Sequence, residues 1–133
     1  MMQKLDDDTI QTLIAAATDV MKNAHVPYSN FRVGAAMLME NGDVITGCNI
    51  ENASFGGTIC AERSAIAAAV SSGRRDIRAI CVTNTTDTRI TPCGICRQVI
   101  YEFGQEIPVI CTNNQGDYDI FTIDALLPNA FVL

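Results

Sequence analysis

Two apolar runs rich in β-branched residues, "IRAICVTN" (77–84) and "IPVICTN" (107–113), flank a segment of helical pattern, "CGICRQVIYEFG" (93–104). Short runs of this kind read as buried strands, and a helix between them makes a βαβ-like unit. Upstream, "FRVGAAMLM" and "DVITGCNI" are strand-like and are joined by the tight-turn signal "ENGD". An antiparallel pair followed by βαβ-like units predicts a mixed sheet with helices on both faces. The spacing of Ile10, Leu13, Ile14, Ala17, Val20 and Met21 predicts a first helix, which "VPYSN" stops. A second helix is expected from about Cys60 to Ser71. "NNQGDY" reads as a turn, and "TIDALLPNAFVL" as a short helix and tail. The fold class is therefore α/β, a three-layer αβα sandwich. The chain has 133 residues, 48% of them apolar. That suits one domain over 1–133, within the usual ~100–200 residues.

The formal net charge is -6, with nine Lys and Arg. A nucleic-acid partner is disfavoured, because such proteins neutralise phosphates with clustered basic residues. The one dense basic cluster, "GRRDIR", reads as a surface turn. No apolar run reaches the ~18 residues of a membrane span. The opening "MMQKLDDDTIQ" lacks the apolar core of a secretory signal. A cytoplasmic protein with reduced thiols is expected, where six cysteines point to metal or catalysis more than to disulfides.

The cysteines fall into two groups. Cys48, Cys81 and Cys111 lie in or at the end of strand-like runs and read as small core hydrophobes. Cys60, Cys93 and Cys96 lie at the starts of helices, where the dipole and free N–H groups favour a thiolate. "PCGIC" alone is equally a redox pair or two core thiols. With Cys60 as a third ligand it forms the three-ligand arrangement of a catalytic zinc, which keeps one open position. His25, the one histidine, sits at a helix end and reads as a capping or surface residue. Glu62, two residues past Cys60, is placed to move protons without binding the metal. Arg63 can donate to the sulfurs, offsetting the net negative charge of three thiolates around Zn²⁺.

"TICAER" and "PCGICRQ" resemble the C-A-E and P-C-x-x-C signature of zinc-dependent nucleoside deaminases. With "VPYSNFRVGAA", "GCNIENAS" and "LLPNAF", the ordered blocks resemble the small, homotetrameric cytidine deaminase family from about residue 10 onward. The resemblance implies a mixed five-stranded sheet. It implies one Zn²⁺ per chain on Cys60, Cys93 and Cys96, with Glu62 as catalytic proton shuttle and Arg63 beside the ligands. It implies a nucleoside pocket in which Phe31 is an aromatic wall, Ala61 is a substrate-binding residue, and Asn49 and Glu51 hold the ribose 3′-hydroxyl. Ala53, Phe55 and Phe131 would reach a neighbouring subunit's nucleoside, making a homotetramer with shared sites. By spacing alone, "NIEN" is equally a polar loop, and Phe31 and Phe131 fit a core. Phe55, Gly57 and Asn129 depart from the family pattern, which has tyrosine, a larger apolar residue and glycine there. The implied reaction is hydrolysis of cytidine and 2′-deoxycytidine to uridine and 2′-deoxyuridine with ammonia. The rivals are a thiol–disulfide protein, a structural zinc domain, and a deaminase of a free base or of blasticidin S.

Overall fold

The computed structural model describes residues 5–133. Residues 1–4, the start of the segment read above as lacking an export signal, lie outside the described residues. Helix α1 (Asp7–Met21) begins where the Asp6 carboxylate accepts from Thr9 N at 2.8 Å, satisfying a free amide of the first turn. Strands β1 (Val33–Met39) and β2 (Val44–Cys48) form a hairpin through the "ENGD" turn. Helix α2 (Ala61–Ser71), strand β3 (Ile77–Asn84), helix α3 (Gly94–Tyr101), strands β4 (Pro108–Thr112) and β5 (Tyr118–Thr122), and the short helix α4 (Ile123–Leu126) follow.

The five strands order as β2-β1-β3-β4-β5. Only β3 and β4 are parallel, joined through α3; the other neighbours are antiparallel. The alternation of a pleated strand divides the core into two layers. Ala36, Leu38, Ala79, Cys81 and Ile110 face Ile10, Leu13, Ile14 and Ala17 of α1. Ala35, Met37, Ile80, Val82, Val109 and Cys111 face Ala61, Ala65, Ile66 and Ala69 of α2 and Ile100 of α3. The expected three-layer αβα sandwich is the observed one.

The strand that the local pattern did not reveal is β5. It lies at the sheet edge, and only its two end residues, Tyr118 and Thr122, are even half-buried. Its apolar positions Ile120 and Phe121 are exposed and adjacent, so no period-two alternation marks it. Cys81 and Cys111 are buried, and burial pushes both thiols up to about 12. Cys48 is half-buried, so it is less of a core residue than its strand position suggested. His25 is exposed, and its backbone bridges to Ile50. Arg74 of the basic cluster pairs with Asp43 at 2.8 Å on the surface. Among the described residues, no helix is long and apolar enough to cross a membrane.

Candidate active site

Cys60 and Cys93 are the N-cap residues of α2 and α3, and Cys96 is in the first turn of α3. Neither N-cap makes a side-chain capping bond. The three sulfurs lie within 4.8 Å of one another. Cys60 Sγ and Cys93 Sγ are 3.7 Å apart. Tetrahedral zinc, with Zn–S bonds of about 2.3 Å, needs sulfurs roughly 3.8 Å apart. The thiol group fits that ion and leaves its fourth position open.

Electrostatics already favours a thiolate here. Its hydrogen bond with Cys96, aided by Arg63 and Cys93, holds the Cys60 thiol down at about 5. The same bond pushes Cys96 up, as expected of two sulfurs sharing a proton. Arg63 Nη2 donates to Cys60 Sγ at 3.5 Å and to Thr58 O at 3.4 Å.

Glu62 is 4% exposed. Burial raises its carboxyl to about 7, with the nearby Cys60 charge adding to the rise. It opens onto a cavity of about 250 Å³. Phe31, Asn49, Cys60, Ala61 and Cys93 line the same cavity. A buried carboxyl poised near neutrality, beside a metal-ligand set in a small apolar pocket, suits proton transfer to a flat heterocycle.

Residues 7–112 match the family model "Cytidine and deoxycytidylate deaminase zinc-binding region". The chain belongs to this family. It is 51% identical over 122 residues to a cytidine deaminase of Halalkalibacterium halodurans, covering 91% of this chain and 92% of the relative. It is 47% identical over 123 residues to a cytidine deaminase of Sporosarcina psychrophila, covering 92% and 90%. The crystal structure of cytidine deaminase from Burkholderia pseudomallei superposes with a TM-score of 0.88 at 46% identity, covering 91% of this chain and 98% of that one.

Not every residue singled out in the sequence lines this cavity. Glu51 lines an adjoining hollow with Tyr28, Ser29, Asn52 and Phe55, and Thr58 borders both spaces. Asn49 is buried, and its amide bridges the backbone on either side of Arg32. Its Oδ1 accepts from Val33 N at 2.9 Å and its Nδ2 donates to Phe31 O at 2.8 Å. Phe55 and Phe131 are 78% and 68% exposed, and Ala53 is exposed; none of them lines the cavity. Asn129 adopts φ 56, so asparagine supports the left-handed turn expected of glycine. A side chain at Gly57 would meet nothing closer than Asn52 at 3.7 Å, so glycine there relieves no crowding.

Sequence reasoning missed the far wall, formed by Val33, Ile59, Ile90 and Thr91. Ile90 and Thr91 stand on the loop between β3 and Cys93, which two buried asparagines hold. Asn84 Nδ2 donates to Thr88 O at 2.9 Å, and Asn113 Nδ2 to Asp87 O at 2.9 Å. Arg97 completes the support. Its Nε donates to Pro92 O at 2.7 Å, its Nη1 to Leu126 O at 2.7 Å, and its Nη2 to Thr91 Oγ1 at 2.9 Å. The available signal was the "TN" that ends each apolar strand run, a polar pair where the hydrophobic pattern leads one to expect continued burial.

Proposed function

We propose that this chain is a cytidine deaminase that hydrolyses the C4–N4 bond of cytidine and 2′-deoxycytidine. One water is consumed, and uridine or 2′-deoxyuridine and ammonia are released. The observation that carries this reading is the buried Glu62 carboxyl, raised to about 7, beside three thiols spaced for zinc. Zinc held by Cys60, Cys93 and Cys96, one ion per chain, supplies a water acidic enough to react at neutral pH. Glu62 accepts a proton from that water and delivers it to ring N3, which makes C4 electrophilic. As the water oxygen bonds to C4, Glu62 takes the second proton from that oxygen and passes it to the amino nitrogen. The C4–N4 bond breaks, ammonia leaves, and C4 keeps the oxygen as a carbonyl. A group near 7 holds both its forms in comparable amounts, which suits a carboxyl that accepts and donates in one turnover. Arg63 draws charge from the Cys60 sulfur.

Phe31 forms the aromatic wall of the base pocket, and Ala61 borders the base. Asn49 and Glu51 face the ribose 3′-hydroxyl, which leaves the 2′ position unread and both sugars acceptable. The protein works as one catalytic domain over 1–133 in a cytoplasmic homotetramer. Ala53, Phe55 and Phe131 serve a neighbour's nucleoside. The exposure of Ala53 and Phe131, away from this chain's own cavity, supports their assignment, while Phe55 also borders the Glu51 hollow of its own chain.

The test is the ultraviolet absorbance of cytidine incubated with zinc-replete protein. A fall as uridine forms, abolished in Glu62→Gln, is expected. No fall with zinc at one per chain would overturn the substrate assignment, and blasticidin S would be assayed next.

A further inference from the structure

The turn at 27–31 lies between α1 and β1. Its amides and the Ser29 hydroxyl converge on one carboxylate. Glu51 Oε1 accepts from Tyr28 N at 3.0 Å and from Ser29 N at 3.1 Å. The Ser29 hydroxyl bonds Glu51 Oε2. Ser29 Oγ in turn accepts from Phe31 N at 3.0 Å. The backbone crosses here through Asn30 at φ 57, a left-handed position that asparagine tolerates.

These bonds fix the direction of every proton. A backbone amide can only donate, so the Phe31 N–H uses a lone pair of Ser29 Oγ. The single Ser29 proton is then left for Glu51. The Ser29 hydrogen bond is also the largest influence holding the Glu51 carboxyl below its ordinary 4.5. An ionised carboxylate accepts at about four lone-pair sites and donates at none. Three of those sites are filled by the 28–29 turn. One on Oε2 remains, so whatever meets Glu51 from the adjoining hollow must bring a hydrogen-bond donor. A sugar hydroxyl is such a donor. The same serine also ties the backbone of Phe31, a wall residue of the neighbouring cavity.

We infer that Ser29 is a positioning residue for nucleoside binding: it keeps Glu51 oriented as an acceptor for the sugar hydroxyl while tying down Phe31. The inference rests on the reading of Glu51 as the sugar-binding carboxylate. It assigns Ser29 no contact with the reacting atoms.

The experiment compares cytidine with 3′-deoxycytidine as substrates of zinc-loaded wild type, Ser29→Ala, Ser29→Thr and Glu51→Gln. Ser29 is exposed, so none of these changes opens a core cavity. A hydrogen bond to a charged acceptor supports an expected rise of about tenfold in KM for cytidine in Ser29→Ala, with kcat within about twofold. KM for 3′-deoxycytidine should be unchanged by Ser29→Ala, and Ser29→Thr should restore cytidine binding. If Glu51→Gln raises KM for cytidine and not for 3′-deoxycytidine, and Ser29→Ala raises neither, the role of Ser29 is overturned while Glu51 keeps its own. If Glu51→Gln does not raise KM for cytidine more than it raises KM for 3′-deoxycytidine, the sugar-binding reading of Glu51 fails, and the role of Ser29 fails with it.

Discussion

Gly47 of β2 lies directly beneath Ala65 of α2: a Cβ at Gly47 would meet Ala65 N at 2.3 Å and Ala61 O at 2.7 Å. The helix whose N-cap is Cys60 is thus seated on bare backbone. A Gly47→Ala change forces α2 outward by a distance that no rotamer can absorb. Overpacking of this kind costs typically about 1–3 kcal/mol. The expected result is a lower melting temperature together with weaker zinc retention, since Cys60 moves with its helix while Cys93 and Cys96 do not. A variant with wild-type melting and metal content would show that α2 can shift without disturbing the site.

Glu62→Gln preserves shape and removes the titrating carboxyl. Zinc content should stay at one per chain, while turnover falls by at least the ~10²–10⁴-fold typical of a lost general acid–base. Metal analysis and the cytidine absorbance assay on one preparation check both halves. Near-wild-type turnover would remove Glu62 from proton transfer.

Cys96 is the buried member of the thiol group. Cys96→Ala should lower zinc content and activity in parallel, because two thiolates hold the ion less well than three. Full zinc content in this variant would mean that a different set of residues binds the metal.

Glu51 supplies a pH dependence whose sign is fixed. Its carboxyl is held below 4.5, with the Ser29 hydrogen bond as the first cause. A depressed carboxylate stabilises the folded state above its unfolded pKa, and that stabilisation is lost as pH falls through the folded value. The melting-temperature gap between wild type and Glu51→Gln should be constant above about 4.5 and shrink below it. Taking the gap cancels acid release of zinc, which both proteins share. A gap that widens on acidification would contradict the hydrogen-bond assignment.

Phe131 is exposed and absent from its own chain's cavity. Light scattering should find a tetramer, and Phe131→Leu should raise KM for cytidine without altering zinc content. A fully active monomer would refute the sharing of sites between subunits.

The chemistry-bearing residues were legible because their signals are local. Periodicity separated helices from strands, and the thiols at helix starts marked themselves by position. The edge strand β5 was not legible, because its exposed Ile120 and Phe121 carry no alternation. Ser29 was not legible either. Serine in a turn is ordinary, and its partner Glu51 lies 22 residues away in sequence.

The sequence by itself determined which residues could hold zinc, which carboxyl could carry the proton, and that two helices begin at cysteines. Those properties follow from residue type and from periods of a few residues. Only the tertiary structure decided that Cys60 meets Cys93 across 33 residues, because that meeting depends on α2 and α3 packing on the same face of the sheet. Only the tertiary structure placed the Glu62 carboxyl near 7, because desolvation comes from everything packed around a group and not from its neighbours in the chain.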